Sequence, residues 1–377
     1  MSEWKTVRLG DVCEIAAGQG APQGDSNYCN DGTPFVKAGN LIELIEGKHE
    51  NQIQKVSEEV AKSHKLKKYS AGSILFAKSG MSCMKGYVYQ LKNDSYVVSH
   101  LAIVKPKEDS SDYIEYCLRH IKPNTLVKDE AYPSISLQDI SNLQIPLPPL
   151  EKQKHIANVL DKCTILIAKY KQMLAKYDTL IKSRFIEMFG DISTGNYKFE
   201  TRKLGSVSEV GSSHRVFTTE FVEQGVPFYR GTEIGMLANG QQPEEPFHIS
   251  EEHYNRLTEH DSKPKIGDLL MPSICNKGQV WMVDTDTPFY YKDGRVLSIS
   301  PNQKIYNSKY LQYFMREKTI VEYPKLGSGS TFAEFKIFLL KDIDVLTPPI
   351  SLQNDFAAFV QQIDKSKFEY TYTGVAA

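Results

Sequence analysis

The chain has 377 residues, 41% hydrophobic and 24% charged, a globular composition with enough apolar content for about two or three domains, which excludes disorder and collagen-like repetition. Lys and Arg (45) nearly balance Asp and Glu (46), so no global basic field points to nucleic acid. No apolar run approaches the roughly 18 residues of a membrane span, the N-terminus has no apolar signal region, and the six cysteines form no CxxC pair; the expectation is a soluble intracellular protein with reduced thiols.

In chain order, residues 1–147 read as mixed α/β. Short β-branched and aromatic segments, such as 87–89, alternate with Gly, Asn and Asp punctuation, and 112–119 carries helical spacing. The prolines 146, 148 and 149 end this unit and give a rigid entry into a helix. Over 150–190 there is no Pro or Gly until the end. Apolar residues recur at alternating four–three spacing at Ile156, Leu160, Cys163, Ile167, Tyr170, Leu174, Tyr177, Ile181 and Met188, broken only by Arg184. That spacing predicts a coiled-coil helix of about 60 Å at 1.5 Å per residue. It carries eight Lys/Arg against four Asp/Glu.

Residues 191–377 then repeat the same order. RLGDVCEI at 8–15 recurs as KLGSVSEV at 203–210, GTPF at 32–35 as GVPF at 225–228, and SEE at 57–59 as SEE at 250–252. AGSIL at 71–75 recurs as IGDLL at 266–270, KGYV at 85–88 as KGQV at 277–280, and LPPLEKQ at 147–153 as TPPISLQ at 347–353. Six matches in one order, at offsets of 192–200 residues, mark an internal duplication. The organisation is a first unit at 1–147, a long helix at 148–190, a second unit at 191–347 and a second, shorter helical copy at 348–377, with Phe356, Val360 and Ile363 on its seam. A long amphipathic helix needs a partner seam, and the simplest partner is the second copy, paired antiparallel. The expected fold is α+β: two similar mixed α/β domains separated by long antiparallel coiled-coil helices, with pseudo-twofold duplication.

Two related units held apart suit the reading of two half-sites on a duplex. A duplicated adaptor gripping two proteins fits the same pattern. The ordered motifs narrow the choice. Trp4, Leu9, Gly10, Asp11 and Ile15, then Gly32, Pro34, Phe35, Asn40 and Leu41, then AGSILFAKSG at 71–80, then IPLPPL at 145–150 with Gln153, Ile156, Ala157, Leu160 and Asp161, resemble the specificity subunit of type I restriction–modification enzymes, over essentially the whole chain and twice over. The resemblance implies that each unit is a target recognition domain reading one half of a bipartite double-stranded DNA site. It implies that the helices fix the gap and dock adenine methyltransferase subunits, to which restriction/translocase subunits can be added. It further implies a non-catalytic chain in a prokaryotic cytoplasm, with S-adenosylmethionine held by the methyltransferase partners and no cofactor or metal here. The chain departs from the pattern at MPSIC (271–275), where the first unit has FAKSG (76–80), and in the shortness of the second helix; a truncated or phase-variable subunit that dimerises through an unpaired seam is the variant reading.

No catalytic signature competes. An adenine-methyltransferase Asn/Asp-Pro-Pro-aromatic motif and a phosphate-binding loop are both absent from the sequence, and Glu334–Lys336 is a lone E-x-K without its second carboxylate. His248 and His253 are five apart, not the four that places two ligands on one helix face. Base reading needs polar side chains on loops. The candidates in the first unit are Lys37, Asn40, Lys78, Ser79, Tyr132 and Ser134, with Lys62 and Lys65 from the densest basic run for phosphates. In the second they are Arg230, Thr232, Ser273, Asn276, Lys277, Ser328, Ser330 and Thr331.

Overall fold

A computed structural model describes residues 4–259, 263–326 and 333–373, the last six of these by backbone alone. The chain divides into two compact units, residues 1–168 and 169–377, and the division falls inside the long helix.

Each unit is built on a four-stranded antiparallel sheet with the same strand order. In the first unit the order across the sheet is Cys13–Ala17, Leu101–Pro106, Ile74–Ala77, Val88–Gln90. In the second it is Ser208–Gly211, Val296–Pro301, Leu269–Pro272, Trp281–Met282. The inner strands Ile74–Ala77 and Leu269–Pro272 are buried at every residue, so they read as continuous apolar runs rather than as alternation. A smaller sheet accompanies each: Lys55–Val56, Thr33–Val36 and Tyr96–Val97 in the first unit, and Phe221–Val222, Phe247–Ile249, Val226–Tyr229 and Tyr290–Tyr291 in the second. In both, the Gly-x-Pro-Phe strand pairs parallel with a later Tyr-containing strand.

The glycine that opens this strand has a steric reason. Gly32 and Gly225 adopt φ of 154° and 155°, and a Cβ there would lie 2.6 Å from Val56 O and 2.3 Å from Ile249 O. Only glycine permits that approach. The helices Ser111–Ile121 and Ser308–Glu322 are capped by Ser110, which accepts from Tyr113 N, and by Asn307, which accepts from Lys309 N and Tyr310 N.

The long helix runs Leu150–Phe189 and the C-terminal one Ile350–Thr373. The C-terminal helix lies antiparallel along the end of the long one. Phe356 packs 5.4 Å from Phe185 and 5.6 Å from Phe189, and farther along it Lys367 Nζ meets Asp178 Oδ1 at 2.7 Å. Ile181, Phe185, Phe189, Phe356, Val360 and Ile363 thereby join one buried core with Tyr310, Phe314 and Met315 of the second unit. Arg184 does not break this packing: its guanidinium sits 5.9 Å from the Phe359 ring and bonds Glu187.

The seam is otherwise different from the sequence expectation. At the start of the helix Ala157 and Ile156 pack on the first unit's core, but every residue from 158 to 169 is exposed, including Leu160, Cys163 and Ile167, and Leu174 is exposed as well. Tyr170 and Tyr177 are half-buried. At its far end the buried positions are Ile181, Phe185 and Phe189, spaced by four, rather than Met188. The heptad pattern is present in the residues, yet Leu160, Cys163 and Ile167 stay exposed, although the Tyr116 hydroxyl reaches Asp161 (2.7 Å) on this stretch.

Candidate nucleic-acid interface

At the end of the inner strand, each unit joins three segments in the same way. In the first, Lys78 N donates to His100 O (2.9 Å), Ile135 N donates to Lys78 O (2.8 Å), and Ser79 pairs with Ser134 in an isolated bridge. In the second, Ser273 N donates to Arg295 O (2.9 Å) and Phe335 N donates to Ser273 O (2.7 Å). Lys78 thus corresponds to Ser273, His100 to Arg295, and Ser134 to Glu334.

The backbone wiring is shared and the side chains are not. In the first unit Ser79 Oγ lies 2.8 Å from His100 Nδ1. In the second, Arg295 Nη1 donates to Glu334 Oε2 (2.8 Å), Ser273 Oγ donates to the same oxygen (3.4 Å), and Lys336 Nζ bonds Oε1. Lys336, and then Arg295, hold the Glu334 carboxyl below the usual carboxylate range. The Glu334 carboxylate is thus engaged by two cations and a hydroxyl. Tyr132 and Met81, 81% and 70% exposed, flank the first junction.

A second corresponding position lies just after the Gly-x-Pro-Phe strand. Lys37 Nζ donates to Gln54 Oε1 (2.7 Å) over the Tyr28 ring (4.3 Å). Arg230 lies 4.7 Å from the Phe247 ring and donates twice to Glu233, from Nε (3.1 Å) and Nη2 (2.7 Å). Burial alone would raise the Glu233 carboxyl, but the Arg230 bonds outweigh it and hold the acid ionised. Asn40 and Glu233 play the same structural part, since Asn40 Oδ1 accepts from Lys37 N (2.9 Å) and Glu233 Oε2 from Arg230 N (2.8 Å). Thr232 is exposed beside Arg230.

Lys62 projects from the last turn of the helix Glu58–Ser63. Lys65 has φ of 51°, and Gln19 ties this stretch down by donating to Lys65 O (2.8 Å) and accepting from Lys67 N. Asn276 and Lys277 are exposed in a turn closed by Lys277 N donating to Gln279 Oε1 (3.0 Å), while Ser273 is buried. Ser328, Ser330 and Thr331 lie outside the described residues. His253 is buried with its Nε2 3.6 Å from Glu220, and among the described residues no three or more His, Cys, Asp or Glu side chains group so as to hold a metal ion. All six cysteines carry free thiols, and burial pushes Cys13 up to about 12 and Cys275 to about 11, which makes them poor nucleophiles.

The sequence reading did not single out His100 or Arg295 at these junctions, and took Glu334 only as part of a lone E-x-K. The available signal was positional: His100 and Arg295 each directly precede the buried strands Leu101–Pro106 and Val296–Pro301.

Residues 1–176 match the family model described as the type I restriction modification DNA specificity domain. A Haemophilus influenzae chain, provisionally named type I restriction enzyme specificity subunit S.HindORF215P, is 22% identical over 373 residues, covering 96% of this chain and 87% of its own. Residues 1–176 thus match the type I specificity domain, and nearly the whole chain is similar to type I specificity subunits. The type I restriction enzyme MjaVIII specificity subunit of Methanocaldococcus jannaschii is 23% identical across 96% of this chain and 86% of its own. The fold agrees. The crystal structure of the type I restriction–modification S subunit from M. genitalium superposes with a TM-score of 0.56 at 14% identity, over 99% of this chain and 92% of that one. A chain from a structure of complex assembly and conformational transition in the type I system gives 0.53 at 16%, over 100% and 95%. The subunit therefore serves DNA sequence specificity in a type I restriction–modification system, and no helix among its described residues is long and apolar enough to cross a membrane.

Proposed function

We propose that each unit of this specificity subunit reads one half of a bipartite duplex site, with the long and C-terminal helices setting the gap and docking adenine methyltransferase subunits. The observation that carries this reading is the repeated junction at 78/100/135 and 273/295/335, where identical backbone bonds present different side chains. Shared wiring supports one frame used for two reading surfaces, and different side chains would let the halves differ in sequence. The chain itself is non-catalytic. The target adenine leaves the base stack in a partner subunit, which binds S-adenosylmethionine, and restriction/translocase subunits join the same assembly in the prokaryotic cytoplasm.

The exposed stretch of the long helix supports the docking role, because Leu160, Ile165, Leu166 and Ile167 form apolar surface that a monomeric helix would bury. Its excess of Lys and Arg suits a position near the DNA backbone. Exchange of residues 1–147 for the matching unit of a different specificity subunit tests the reading. Methylation mapping should then show one half-site replaced and the other unchanged; replacement of both halves would contradict independent units.

A further inference from the structure

Arg295 has an arrangement that a surface ion pair does not require. Its side chain is 62% exposed, yet its partner Glu334 is only 20% exposed and is held from two other segments, by Arg295 and Ser273, as well as by the neighbouring Lys336. The bond uses Nη1 alone. Among the described residues Nε and Nη2, the edge that carries two parallel N–H groups, make no hydrogen bond. An isolated exposed pair would add little stability, so fixing one edge of the fork matters mainly for what the other edge meets.

The corresponding place in the first unit holds His100, exposed, with Nδ1 engaged by Ser79 and no hydrogen bond at Nε2 among the described residues. Both side chains start at the residue whose carbonyl accepts from the strand-end amide, Lys78 N or Ser273 N, so the two backbones present them from equivalent points.

We propose that Arg295 and His100 are corresponding base-contacting residues of the two units, with Glu334 a positioning residue that aims Arg295 at a guanine. A fork held at Nη1 offers its remaining edge to the O6 and N7 of guanine in the major groove, whereas an imidazole held at Nδ1 offers a single contact. The two units therefore differ in how strictly one base is read at this position. The inference rests on the half-site reading above and assigns residues within it.

The test is adenine-methylation mapping of the assembled complex carrying Arg295→Ala, Glu334→Gln or His100→Ala. Arg295→Ala should make one guanine position of one half-site degenerate, with discrimination falling about 10- to 100-fold, while the gap and the other half are retained. Glu334→Gln should relax the same position to a smaller extent. His100→Ala should widen one position in the opposite half. If Arg295→Ala does not assemble, Arg295→Lys keeps the charge without the fork and should show the same degeneracy. An unchanged motif in these variants, or a uniform fall in methylation at all sites as for a phosphate contact, would overturn the assignment. So would complete loss of methylation from a complex that assembles and melts like the wild type. A wild-type complex that gives no bipartite motif would instead count against the half-site reading itself.

Discussion

Gln153 and Gln353 occupy the same place in the two units, and both side chains are almost fully buried. Gln153 accepts from Ser110 N (3.1 Å) and donates to Asp109 Oδ1 (2.8 Å) and Pro148 O (2.9 Å). Gln353 accepts from Asn307 N (3.0 Å) and donates to Ile305 O (2.9 Å) and Pro348 O (2.8 Å). Each amide ties the proline entry of a long helix to the loop before the unit's own helix. Truncation strands these buried groups, so Gln153→Ala and Gln353→Ala should each lower stability by about 1–3 kcal/mol in urea melts. Gln353→Glu should cost more than Gln353→Ala, because a carboxylate would face two carbonyl oxygens; equal or smaller losses would show that the clasp is not what fixes the junction. The repetition of both glutamines was visible in the sequence, though their bonding was not. Asn40, a polar loop residue that suits base contact by type, also closes a turn by accepting from Lys37 N through Oδ1. His100, Arg295 and Glu334 were hidden because only the strand ends bring His100 to Ser79 in one unit and Arg295 to Glu334 in the other.

At the scale of elements, periodicity identified the helices and the duplication identified the strands. The run Ile74–Ala77 is buried on both faces, so it lacks the alternation that would have told its register, and only its repeat at Leu269–Pro272 marks it as a strand. The long helix was legible from end to end, but not which part of its seam is covered within the chain. That depends on the aromatic cluster around Phe185, where Phe189, Tyr310, Tyr313, Phe314 and Phe356 lie at centroid distances of 5.0–6.4 Å. Two substitutions separate the covered and open parts. Phe185→Ala removes a side chain 2% exposed and should cost about 3–5 kcal/mol. The double change Leu160→Asp, Ile167→Asp falls on exposed positions and should leave thermal stability nearly unchanged, while reducing co-purification with the methyltransferase subunit. A large loss of stability in the double variant would mean that this stretch is packed within the chain.

For the whole molecule, the near-neutral charge conceals the function. Residues 1–147 carry 17 basic against 18 acidic side chains and residues 191–347 carry 18 against 21, so neither unit advertises DNA by composition. The duplication does so by architecture, since one frame used twice presents two different surfaces. On the proposed reading, specificity depends on side chains at matched points of that frame, and affinity is shared with partner subunits. The measurement that bears most directly on the half-site reading is genome-wide adenine-methylation sequencing in cells that express the chain with its methyltransferase subunit, compared with cells lacking the chain. The expected result is a bipartite motif with a fixed gap that disappears when the chain is omitted. A correctly assembled complex that leaves no new methylation, or methylates a single continuous motif, would contradict it.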